Sequence, residues 1–132
     1  MLNFNQFVLI SAELSQFTNT ENIIRTNQLK LMLEQSGFYP VYMKKGVYKG
    51  SSEISFFVPI SRKDDIERLE FIAFDRFNQE SILVQYSDGH ARLHYRDHIE
   101  HIGKLRQVTK EVAEKKGSYT FYPKQGTYYA TV

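Results

Sequence analysis

From Ile54 to Ile60 the chain alternates, with Ile54, Phe56, Val58 and Ile60 on one side and Ser55, Phe57 and Pro59 on the other. A period of two is that of a β-strand with one buried face, and it commits the chain to a sheet. Just upstream, Gly46 and Gly50 bracket Tyr48, and Ser51-Ser52 lead into Glu53. Glycine lets a backbone turn sharply or approach a ligand closely. A phenol and a carboxylate are thereby brought to the mouth of a hairpin. On these residues alone the pattern is that of an ordinary hairpin with a surface Tyr and a solvated Glu.

The remaining segments supply partners for that strand. Phe7-Val8-Leu9-Ile10 is a continuous apolar run suited to a central strand and leads into Ser11-Ala12-Glu13. Thr18-Asn19-Thr20-Glu21 matches a capping box. The helix it opens is expected to carry Ile24, Gln28, Leu31 and Met32 and to end near Gly37. Phe38 to Tyr48 reads as a strand, with Pro40 placing its start at an edge. Ser61-Arg62-Lys63-Asp64 caps a second helix with Ile66, Leu69, Ala73 and Phe77 at helical spacing. Ile82 to Tyr86 is a strand, and Asp88-Gly89 is a hairpin turn returning through Ala91, Leu93 and Tyr95.

Beyond Arg96 two readings stay open for residues 104–116: a short helix with Leu105, Val108 and Val112 inward, or an irregular charged connector. Tyr119–Tyr122 and Tyr128–Val132 read as a closing hairpin around Pro123-Lys124-Gln125-Gly126. The order βαββαβ plus extra strands predicts an α+β, ferredoxin-like sandwich: an antiparallel sheet with two helices on one face. At 132 residues it is expected to form one domain, residues 1–132, with a real hydrophobic core.

Composition narrows the function classes. Without cysteine there is no disulfide framework and no thiolate chemistry, which suits a reducing cytoplasm. Met1 to Gln6 has neither the basic region nor the apolar run of a signal peptide, and no apolar stretch approaches membrane-spanning length. A net charge of +2 is too small to argue for nucleic acid. Neither Gly-x-Ser-x-Gly, a P-loop nor Gly-x-Gly-x-x-Gly occurs. His90 lies in the hairpin turn, His94 in a strand, and His98 and His101 beyond that strand, so no metal site is expected. Nine Tyr and ten Phe remain to fill a core, a pocket or an interface.

Four blocks carry a family likeness: Val8-Leu9-Ile10-Ser11-Ala12, Gly46-Val47-Tyr48-Lys49 with Glu53, Phe77-Asn78-Gln79-Glu80-Ser81-Ile82-Leu83-Val84, and Ala91-Arg92-Leu93-His94-Tyr95. In order and spacing the chain resembles the small bacteriophage S-adenosylmethionine (SAM) lyases, long called SAM hydrolases. The loop between Tyr48 and Glu53 is shorter here than in some relatives. The resemblance implies a metal-independent cytoplasmic enzyme that lowers host SAM and so counters restriction. It implies cleavage of SAM to 5'-methylthioadenosine and L-homoserine lactone by the substrate's own carboxylate. No cofactor is implied, since SAM is the substrate, and neither nucleic acid nor membrane is a partner. Tyr48 and Glu53 match the family's active-site Tyr and Glu. Gln79, Glu80 and Ser81 are expected at the ribose or adenine. The family's homotrimers, with active sites between subunits, imply the same assembly here. From a different class, a non-catalytic ferredoxin-like module that binds a small ligand or a host protein fits the same fold.

Overall fold

The computed structural model describes residues 6–48, 51–116, 119–122 and 127–131. The first half runs β1 (Phe7–Ser11), α1 (Asn19–Gln35), β2 (Tyr42–Tyr48), β3 (Ser51–Pro59) and α2 (Asp65–Phe71). A π-helical turn (Ile72–Arg76) prolongs α2 before β4 (Ser81–Gln85) and β5 (His90–Tyr95). Then come β6 (Ile99–Val108), α3 (Lys110–Lys116), β7 (Tyr119–Tyr122) and β8 (Thr127–Thr131).

The α+β content and the antiparallel sheet follow the sequence reading. The open ferredoxin-like sandwich does not form: the sheet continues and closes. Its order is β1-β3-β2-β7-β8-β6-β5-β4, and β4 pairs back onto β1 to complete a barrel. The pairings responsible, β2 with β7 and β6 with β8, join distant parts of the chain.

Closure changes what alternation means. Val8, Ile10, Phe56, Val58, Ile82 and Val84 face outward and pack under Leu29 and Leu33 of α1 and Leu69, Ile72, Ala73 and Phe74. Phe7, Leu9 and Phe57 face inward and form a second cluster within the barrel. The β3 strand is therefore buried on both faces, not one, with Phe57 as inaccessible as Val58. Removing each such side chain from water contributes about 1.5–3 kcal/mol.

Local signals hold in part. The α1 capping box forms as expected, Glu21 N donating to Thr18 Oγ1 at 3.1 Å and Thr18 N to Glu21 Oε1 at 2.9 Å. Its buried residues are Thr26, Leu29 and Leu33, whereas Ile24 and Leu31 are more than half exposed. Asp64 makes no side-chain cap on α2. Asp65 instead ties down the turn before the helix, accepting from Ser61 N at 3.0 Å and Arg62 N at 2.9 Å. The β2 strand starts at Tyr42, after Pro40, and lies between β3 and β7 instead of at an edge. Residues 99–108 are strand, paired with β5 and β8, so Leu105 and Val108 belong to β6 and the helix is only α3. The turn at residues 123–126 lies outside the described residues. No helix among the described residues is long and apolar enough to cross a membrane.

Candidate functional site

The two ends of the barrel interior differ in chemistry. Pairing sets Leu9 beside Phe57 and Ser11 beside Ser55, so the interior becomes polar as β1 advances. One end is closed by Phe7 and Phe57, ring centroids 4.3 Å apart, with Tyr42 tilted against Phe57 at 6.1 Å. Lys44, opposite Ser55 on β2, is buried with Nζ 5.7 Å from the Tyr42 ring centroid.

Above that floor is a cavity of about 440 Å³. Leu9, Leu83, Leu93, Ile102, Leu105 and Tyr129 wall it, and Ser11, Ser55, Glu53, Gln79, Glu80, Ser81 and Glu100 add polar groups. An eight-stranded barrel is wide enough to hold one small ligand. Small-molecule pockets run from about 300 to 1,000 Å³, so the volume suits one. Three carboxylates and no Lys, Arg or His stand among the described lining residues. Such a lining favours a cation.

Glu53 enters the cavity from the first turns of β3, opposite Gly46 on β2. Side chains directly opposite on antiparallel strands lie within about 5.5 Å, so a glycine there leaves space beside the carboxylate. Burial pushes the Glu53 carboxyl up to about 7, and the nearby Glu13 carboxylate adds to the rise. The Ser11 hydroxyl, in hydrogen-bonding contact, pulls the other way. A raised carboxyl in a cleft, with a named charge partner, marks a candidate functional group.

Gln79, Glu80 and Ser81 reach the same cavity through an unusual junction. The π turn ends at Phe77, and Asn78 adopts φ 53°, a left-handed conformation that Asn tolerates better than most residues. Gln79 N then donates back to Ala73 O at 2.9 Å, turning the chain into β4. Arg25 ties this junction to the end of β1, donating to Phe77 O and, at 2.7 Å, to Ala12 O. Its guanidinium lies over the rings of Phe17 and Phe77, 4.9 and 5.5 Å from their centroids.

Glu53, Gln79, Glu80 and Ser81 thus line one cavity. The Tyr48 backbone pairs with Ser51 at the top of the β2–β3 hairpin, and its side chain lies outside the described residues. Sequence reasoning missed Ser11, Glu100 and Tyr129 as lining residues. Ser11 was findable, because it continues Phe7 and Leu9 at period two; Glu100 and Tyr129 enter only through barrel closure. The histidines stand apart. His94 is buried outside the barrel, Nε2 2.7 Å from Tyr86 Oη and Nδ1 3.4 Å from Glu70, and its burial holds its pKa below the ordinary value. No cluster of three or more metal-ligating side chains occurs among the described residues.

The S-Adenosylmethionine lyase family model matches residues 8–132. No curated protein matches the chain.

Proposed function

This chain belongs to the S-adenosylmethionine lyase family, and from that premise we propose that it cleaves SAM inside the barrel. The observation that carries the reading is the shared cavity of Glu53, Gln79, Glu80 and Ser81. SAM bears a sulfonium, an ammonium and a carboxylate, a net cation suited to an acid-lined cavity.

The bond changes need no protein nucleophile. One oxygen of the substrate carboxylate attacks Cγ as the Cγ–sulfur bond breaks. The bonding pair stays with sulfur, giving neutral 5'-methylthioadenosine, and the carbon fragment closes to L-homoserine lactone, which keeps the ammonium. Holding carboxylate and Cγ at attack distance is the main task, and positioning of this kind supplies up to about 7–11 kcal/mol. Opposite charges at the reacting centre are consumed, so an apolar wall of the Leu9 and Leu83 kind favours the transition state over the solvated substrate.

That logic assigns the roles. A carboxylate against the sulfonium would stabilise a charge that the reaction destroys. Glu53 therefore holds the ammonium, whose charge survives, and Tyr48 lines the sulfonium end. Gln79, Glu80 and Ser81 contact the ribose or adenine. No cofactor takes part. The family's homotrimer is proposed here too, supported by Ile23, Ile24 and Leu31, which leave exposed apolar surface on α1. SAM depletion in an infected cytoplasm would blunt SAM-dependent restriction.

Incubation of the purified protein with SAM tests the reading. Methylthioadenosine should form, and its absence would leave a binding module. The rate should survive exhaustive chelation; loss with recovery on adding zinc would overturn the metal-free mechanism.

A further inference from the structure

Glu13 has no part in the chemistry above, yet its carboxylate is fastened to the main chain beside Glu53. Its Oε2 accepts from Ile54 N at 2.8 Å, at the start of β3. The main chain around it is tied from three directions. Ser11 Oγ accepts from Glu13 N at 3.1 Å, and Gln79 Nε2 donates to Glu13 O at 3.1 Å. Asn22 exchanges two 3.0 Å bonds with the Leu14 backbone, while Arg25 holds Ala12 O. The bond from Ile54 N seats the Glu13 carboxylate on the amide of the residue that follows Glu53 in the chain. Like charges held close together repel, so an unbraced chain would swing them apart.

We propose that Glu13 is a positioning residue of this site: it fastens the start of β3 and holds a second negative charge beside Glu53, so that the couple takes up the substrate's cation. The proposal rests on the lyase reading. Among the described residues, the other charged groups around Glu53 are Glu80, before β4, and Glu100, on β6, with Lys44 two residues further toward the floor on β2. Before substrate binds, burial and then repulsion from Glu13 favour the protonated Glu53 carboxyl. An arriving ammonium lets the Glu53 carboxyl ionise, and a proton leaves as the cation binds. A neutral ligand of the same shape gains nothing from this.

The test is a carbon-13 carboxyl titration of Glu53 without substrate, in wild type and in Glu13→Gln. The amide oxygen can still accept from Ile54 N, so only the charge is lost. The wild-type midpoint near 7 should fall in the variant by roughly half a pH unit or more. The acid limb of kcat/KM should move the same way. Above pH 8, where Glu53 is ionised in both proteins, KM should rise roughly fivefold or more with kcat little changed. An unmoved midpoint and pH profile in a folded variant would reduce Glu13 to a structural brace and overturn the proposal. Should Glu13→Gln not fold, the wild-type titration decides. A two-step curve for Glu53 supports the couple, and a single step, whether near 7 or near 4.5, refutes it. A shifted midpoint in a protein that leaves SAM intact would count against the lyase reading and leave the couple standing.

Discussion

Glu53→Gln should lower SAM turnover by roughly 10² or more while making the protein more stable above neutral pH. The activity loss comes from its role: a carboxamide cannot balance the ammonium, and misplaced reactants lose much of the proximity advantage. The gain in stability comes from burial. The folded-state pKa, about 7, lies above the ordinary value of 4.5. Between those values the folded chain keeps a proton that the unfolded chain has released. The contribution is therefore fully present below about 4.5 and is lost as pH rises through about 7. At pH 8 the burden on wild type is on the order of 2 kcal/mol once partial exposure is allowed for. Urea unfolding at pH 5 and pH 8 checks this: the two proteins should differ little at the lower pH and diverge at the higher. Activity close to wild type, or identical pH dependence of stability, would return Glu53 to an ordinary surface residue.

Phe57→Ala should be the most damaging single truncation inside the barrel. Phe57 has no accessible surface, stacks on Phe7 and meets Tyr42. Large-to-alanine changes at such aromatic positions cost about 3–5 kcal/mol, and typical total stabilities are about 5–15 kcal/mol. The urea midpoint should fall accordingly with little change in slope. Leu31→Ala on α1, where the side chain is more than half exposed, should shift stability by about 0.5 kcal/mol or less in an isolated chain. Equal losses for the two would contradict the assignment of the barrel interior as a second core.

The contrast between those two positions indicates what sequence can and cannot reveal here. Signals confined to a few neighbours are legible: the Thr18–Glu21 box, the Asp88-Gly89 turn, and the alternation in β3. The buried face of α1 is ambiguous in sequence because apolar residues lie on both its sides. Ile24 and Leu31 fit a helical stripe as well as Leu29 and Leu33 do. Leu105 and Val108, three apart, fit a helix equally well until pairing with β5 and β8 claims them for a strand. Barrel closure leaves no local mark, since it depends on pairings between remote segments. The site divides in the same way. Glu53, Gln79, Glu80 and Ser81 come from family likeness, and the shared cavity is consistent with them. Glu13 belongs to no motif. Its place beside Glu53 emerges only from the bond it accepts from Ile54 N, 41 residues away in the chain.

The proposed mechanism stands or falls on SAM being cleaved by its own carboxylate, without water. Reaction in heavy-oxygen water, with mass analysis of the first-formed products, tests this directly. Methylthioadenosine should form together with homoserine lactone free of solvent oxygen, and any homoserine should arise later by ring opening. Solvent label in the earliest lactone, or homoserine preceding lactone, would contradict the mechanism and make the enzyme a hydrolase.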